Sequence, residues 1–141
     1  MNPQGSAVRN AIVILLLAVL LAGPGCSRTL DVQGDDLERA LSALAQAGYA
    51  ARQEGLLPAP AGDLAARKRA LREVLIEPLR HLGFDPDRSI QHLESEYQAG
   101  LVPDDRRDLV AGFLETYRAS TPDLEQFNLI APETAAALRQ N

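Results

Sequence analysis

Cysteine, tryptophan and histidine are scarce in this chain of 141 residues. It contains one cysteine, Cys26, no tryptophan and two histidines, with three tyrosines and three phenylalanines. A single cysteine cannot form an intrachain disulfide, which excludes a scaffold held together by several disulfides. A zinc site needs three or four ligands, and His81 and His92 have no fixed spacing to each other or to Cys26. The core must therefore stabilise itself by the packing of apolar side chains.

Long apolar runs are also missing, because the main one, Ala11–Ala22, is only about a dozen residues long. A membrane-spanning helix needs roughly 20 apolar residues, whereas shorter runs of about 10–14 are typical of signal peptides. The run follows Arg9 and precedes the small residues of Gly23-Pro24-Gly25-Cys26-Ser27, and no acidic residue comes before Asp31. A basic start, an apolar run and a region of small residues together predict an export signal over residues 1–25.

The end of this segment resembles bacterial lipoprotein signals, whose lipobox usually reads Leu, a small residue, Gly or Ala, and then Cys. Gly25 precedes Cys26 as that pattern requires, whereas Leu21-Ala22-Gly23 matches its first three positions two residues too early. The resemblance implies lipidation of Cys26 by acyl chains such as palmitate, which anchor firmly because each buried methylene contributes about 0.8 kcal/mol. Two alternatives stay open, namely ordinary cleavage near Gly25 or Ser27 and an uncleaved anchor from Ala7 to Ala22.

The residues around Cys26 also predict where in the cell the protein is located. Ser27 would be the second residue of the lipidated protein, and by the same resemblance the absence of Asp there implies the outer membrane, facing the periplasm, if the cell is Gram-negative. A soluble periplasmic or secreted protein is the alternative. Residues 26–34 are short, polar and without periodicity, so we expect a tether that holds a helical domain, residues 35–141, just off a membrane.

The charge of the exported part is acidic. Without Arg9, 13 basic and 19 acidic residues remain, which gives a net charge of −6 on 116 residues. Proteins that bind nucleic acids present basic stripes and stacking aromatic side chains, so no nucleic-acid partner is expected. A chain of this length forms one domain with a modest core.

Apolar residues recur at steps of three and four, which predicts helices, and residues that cap or break helices divide them. The first helix begins at Asp35 and stops near Gly55, before a loop, Leu56–Gly62, that contains two prolines. The second helix is capped by Asp63 and should be kinked or split near Ile76-Glu77, because Pro78 cannot continue it. Gly83 ends it in a Schellman motif, with Phe84 packing on Leu79.

Three more helices are predicted downstream. Asp85-Pro86 supplies the N-cap and first residue of the third, which Gly100 ends. Pro103-Asp104-Asp105 opens the fourth, which Ser120-Thr121-Pro122 should break, and a final short helix starts at Ala131-Pro132. No stretch alternates with period two long enough to predict a strand. The expected fold is all-α, a compact bundle of four to five helices behind the signal or anchor helix and the tether.

One segment, Asp85 to Glu96, places oxygen-bearing side chains at the offsets of a calcium-binding EF-hand loop. Ile90 nevertheless occupies the position that needs glycine, and Leu93 occupies the ninth position, so a capped amphipathic helix is the better interpretation. Arg67-Lys68-Arg69-Arg72 indicates a solvated basic face, and the pairs Asp35-Asp36 and Asp104-Asp105 are interpreted as helix starts. No catalytic residue, metal ligand or cofactor is expected.

These observations favour a non-enzymatic accessory factor of the cell envelope that is held at the membrane through lipidated Cys26 and binds another protein. The expected binding surface is an apolar groove walled by the second and fourth helices. The alternative is an envelope module for a small ligand or lipid, which needs an apolar pocket. An enzyme is the least favoured reading, and it would require His81, His92 or carboxylates to converge in a cleft.

Overall fold

The computed structural model describes residues 28–55 and 63–140; the signal segment with Cys26, the loop 56–62 and residue 141 lie outside the described residues. Residues 64–81 form one helix, which we call the second helix; within it a π-helical segment, Arg72–Ile76, joins two α-helical stretches without a break. The predicted all-α bundle is confirmed, since the described residues form five helices and no strand beyond one isolated bridge. The elements are α1 (Asp36–Gln53), α2 (Leu64–Leu71), α3 (Glu77–His81), α4 (Pro86–Gln98), α5 (Arg107–Gln126) and α6 (Pro132–Arg139).

All five helices contribute to one apolar core. α1 packs against the π-helical segment and α3, and α4 packs against α5 and α6. The core positions are the apolar positions of the helical pattern, because each helix turns one stripe inward. The fully buried side chains of these stripes include Leu37, Ile76, Leu79, Ile90, Leu93, Phe113, Leu114 and Tyr117.

The N-terminal segment of the described chain belongs to this core, so the predicted tether is wrong for residues 28–34. Leu30 and Val32 are buried, with 0% and 1% of their surfaces exposed. The Arg28 N–H donates to the Gly83 carbonyl (3.1 Å), and the Asp85 N–H donates to the Arg28 carbonyl (3.0 Å). Burial of two branched side chains outweighs the entropy lost on fixing so short a segment.

The second helix begins and ends where its capping residues predict. The Asp63 carboxylate accepts a hydrogen bond from the Ala66 N–H (3.0 Å), as an N-cap does. Gly83 lies in the left-handed region with φ of 88°, and the Phe84 N–H donates to the Leu79 carbonyl (3.0 Å). This is the predicted Schellman ending.

Where Pro78 predicts a kink or split near Ile76-Glu77, the structure has a π-helical turn and no break. Proline has no N–H for the carbonyl four residues earlier, and just before it the Glu77 N–H donates to the Arg72 carbonyl, five residues back. The buried hydroxyl of Tyr117 donates to the Leu75 carbonyl in this turn (2.8 Å). Burial raises the pKa of the Tyr117 phenol, so the hydroxyl keeps the proton that it donates.

The predicted break at Ser120-Thr121-Pro122 is wrong, because α5 continues through it to Gln126. Proline in a helix interior costs about 3 kcal/mol. Beyond Pro122, however, Leu124 is fully buried in the core, and the Thr121 hydroxyl donates to the Tyr117 carbonyl (2.8 Å). Tertiary packing therefore outweighs the local preference.

Candidate functional site

An open groove lies between α1 and the second helix, with a volume of about 490 Å³. Three alanines of α1 form one wall, Ala43, Ala47 and Ala50, at the i, i+4, i+7 spacing that places them on one face of the helix. Their short side chains leave the space between the helices unfilled. We call this surface the alanine groove; its lining residues are Ala43, Gln46, Ala47, Ala50, Glu73, Glu77, Pro78, His81 and Leu82.

The two walls of the alanine groove differ in charge. The second helix contributes two carboxylates, Glu73 and Glu77, one helical turn apart, whereas α1 contributes only alanines and Gln46. Glu77 lies 3.4 Å from the Arg80 guanidinium, in a pair that is about half exposed on the arginine side. The groove therefore has an apolar floor with an acidic rim on one side.

α5 contacts the second helix along the face where a groove between the second and fourth helices is predicted. There Tyr117 is fully buried and donates to the Leu75 carbonyl, and Arg67 forms an ion pair with Asp123. The alanine groove lies instead on the side of the second helix that faces α1.

The Asp85–Glu96 segment is a capped helix, as the rejection of the calcium loop predicts. The Asp85 carboxylate accepts from the Arg88 N–H (3.0 Å). The Asp87 carboxylate accepts from the Ala131 N–H and the Thr134 hydroxyl, both at 2.7 Å, and so caps the start of α6. Among residues 28–55 and 63–140, no group of three histidine, cysteine or acidic residues is placed to hold a metal ion.

The structure separates the two histidines. His81 is exposed at the end of α3, where it lines the alanine groove. His92 lies on α4 and its ring is 3.7 Å from the Glu96 carboxylate, one turn further along. The two rings therefore stand on different helices.

The remaining charged motifs are surface features. In the basic cluster, Arg67 pairs with Asp123, while Lys68, Arg69 and Arg72 are exposed to solvent. This arrangement is consistent with a solvated helix face, and contact of the cluster with anionic headgroups or an acidic partner stays the alternative.

A second concavity, of about 270 Å³, lies at the end of α4 and is lined by Tyr97, Gly100, Val102 and Arg107. The Arg107 guanidinium is 3.1 Å from the Asp104 carboxylate. This volume falls below the range of about 300–1,000 Å³ that is usual for ligand sites. Of these two concavities, the alanine groove is therefore the stronger candidate site.

The sequence contains a signal for this site in the spacing of three alanines. Alanines at positions 43, 47 and 50 lie on one face of α1, and a face made of alanine leaves space beside it unless the neighbouring helix comes closer.

In the described part of the chain, no helix is long and apolar enough to cross a membrane. Searches among protein-family models, curated proteins and solved structures find no match to this chain.

Proposed function

We propose that this protein is an exported, non-enzymatic accessory factor of the bacterial cell envelope, anchored by acylation of Cys26, that binds an apolar segment of another envelope protein. The observation that carries the binding role is the alanine groove, an open apolar surface between two helices. Support for the location in the cell envelope comes from the export signal and its likeness to lipoprotein signals.

The shape of the groove favours a helical or extended protein segment. Amphipathic helices commonly bind by laying their apolar face into a groove between two helices. The side chains of Ala43, Ala47 and Ala50 end at Cβ, so a bound backbone can approach α1 closely. The groove is open to solvent along one side, which leaves much of a small ligand exposed but suits a longer segment that covers it.

The charge of the groove specifies the chemistry of the partner. Glu73 and Glu77 are one turn apart on one rim, and the opposite rim is uncharged. Complementary charges across an interface fix register and orientation. We therefore expect the bound segment to carry lysine or arginine on one edge of its apolar face, one helical turn apart.

A site-specific photo-crosslink tests this role. A benzoylphenylalanine placed at Ala50, which lines the groove and is exposed, should crosslink in envelope membranes to a segment that is apolar and basic. The same residue at Ala45, which is exposed on the same helix outside the groove, is the matched control and should give no such product. Mass spectrometry of the crosslinked peptides identifies the partner segment.

Charge variants complete the test. Glu73→Lys/Glu77→Lys should lower the yield of the Ala50 crosslink several-fold, because the rim then repels a basic partner. Glu115→Lys/Glu133→Lys changes the net charge equally at two exposed positions outside the groove and should leave it unchanged. Equal crosslinking from positions 45 and 50, or an acidic partner segment, would contradict the proposal. Crosslinking to lipid alone would support the lipid-binding alternative, for which the groove volume is sufficient.

A further inference from the structure

The chain is fixed to the domain only two residues after Cys26. Besides its two backbone hydrogen bonds, Arg28 donates from its guanidinium to the Leu82 carbonyl (3.3 Å), and the same group stacks on the Phe84 ring, 4.9 Å from the centroid. Further along, the Leu30 N–H donates to the buried Ser89 hydroxyl (3.0 Å). The route out of the domain is therefore set at Arg28, and about 7 Å of extended chain separates it from Cys26.

The surface around this exit point carries basic side chains. We call it the anchor corner; it consists of Arg28, Arg80, His81, Gly83 and Arg88, all of which are exposed. Backbone hydrogen bonds join its parts, since the Gly83 N–H donates to the Arg80 carbonyl (2.9 Å) and the Arg28 N–H donates to the Gly83 carbonyl (3.1 Å).

Acidic side chains lie among them in the same part of the fold. Asp85 accepts the Arg88 N–H as the cap of α4, and Asp87 accepts donors at the start of α6. Glu77 pairs with Arg80, and Asp31 accepts the Gln33 N–H (2.8 Å). The anchor corner therefore carries charges of both signs, and the short chain to Cys26, not a net positive charge, sets its place.

We infer that the mature protein sits directly on its membrane, with the anchor corner against the lipid headgroups. This inference rests on the acylation of Cys26 proposed above. Chain length leaves no room for a free spacer, because only Ser27 separates Cys26 from Arg28, whose backbone is hydrogen-bonded to the domain. The Leu82 end of the alanine groove adjoins this corner, so a partner segment would enter the groove beside the membrane.

Two positions on the second helix allow the distance of each end of the helix from the membrane to be compared. Arg80 and Lys68 are both exposed and lie twelve residues apart on one helix, a rise of about 18 Å. Arg80→Cys and Lys68→Cys each remove one positive charge and each add one thiol. Because Cys26 is the only native cysteine, its lipidation leaves the new thiol as the only one that a fluorophore can label.

The experiment measures quenching by a headgroup nitroxide in vesicles of phosphatidylethanolamine and phosphatidylglycerol that contain the acylated full-length protein. The label at position 80 should be quenched several-fold more strongly than the label at position 68. Inserting about 15 Gly and Ser residues between Ser27 and Arg28, a chain with a typical span of roughly 20 Å, should remove this difference.

The outcomes are separable. Equal quenching at positions 68 and 80 in acylated protein overturns the seating and leaves the anchor and the groove untouched. A second label on Cys26 shows that the cysteine is free, which overturns the anchor and this inference together. Retention of the difference after insertion of the spacer also overturns the inference, because the short linkage would then not be its cause.

Discussion

Replacing Leu30 with alanine should lower the free energy of unfolding by about 2–5 kcal/mol, the usual cost of truncating a fully buried leucine. Leu30 has no exposed surface, and its own N–H is held by the Ser89 hydroxyl at 3.0 Å, so the site cannot relax by moving the segment away without losing that bond. Urea titration followed by helical circular dichroism measures the change, since the chain has no tryptophan.

The neighbouring residue gives the control for this prediction. Thr29 is exposed, and Thr29→Ala should change the stability by no more than about 0.5 kcal/mol, as surface substitutions usually do. If Leu30→Ala is as mild as Thr29→Ala, residues 28–34 are a tether and not part of the core. The seating at the membrane would then lose its structural basis as well.

Replacing Arg118 with leucine should cost about 3–5 kcal/mol, because it removes a cationic partner that donates to both oxygens of a buried carboxylate. The side chain of Glu94 is only 6% exposed, and its two oxygens accept from Arg118 Nη2 at 2.8 and 2.7 Å. Gln98 also donates to Glu94 (3.1 Å), but a neutral amide does not replace a guanidinium. Chemical denaturation of the variant measures the loss.

Two comparisons identify the buried charge as the cause. The double variant Glu94→Leu/Arg118→Leu should recover most of the stability, because it removes the buried charge together with its partner. Arg107→Leu breaks an exposed ion pair with Asp104 and should cost no more than about 1 kcal/mol. A double variant less stable than Arg118→Leu alone would show that lost packing, not loss of the Arg118 charge, explains the effect.

Much of the fold could be predicted from the sequence because the helix ends are specified locally. Asp63, Gly83 and Asp85 act through hydrogen bonds to residues within about four positions of themselves, so their chemistry is visible in a short window. The all-α class followed from the same local signals together with the spacing of the apolar residues.

The failures share a different cause, which is contact between distant parts of the chain. Leu30 bonds to a side chain 59 residues away, and the alternation around it is too short to predict a strand. Pro122 locally favours a break in the helix, but the burial of Leu124 in the core stabilises the helix beyond it. Sequence periodicity says which residues are buried, not which elements cover them.

The candidate site shows the same division. The alanine face of α1 is visible in the sequence as the spacing of positions 43, 47 and 50. Which helix lies beside that face depends on the whole bundle. The contacts of Tyr117 and Arg67 place α5 against the other side of the second helix. The acidic rim likewise depends on how the second helix is rotated against α1.

Mass spectrometry of the mature N-terminus of protein purified from membranes is the most direct test of the proposed lipid anchor at Cys26. We expect the chain to begin at Cys26 and to carry acyl chains on that residue, with Ser27 as its second residue. A free Cys26 thiol, or a chain that begins at another residue, would contradict the anchor on which both the envelope role and the seating depend.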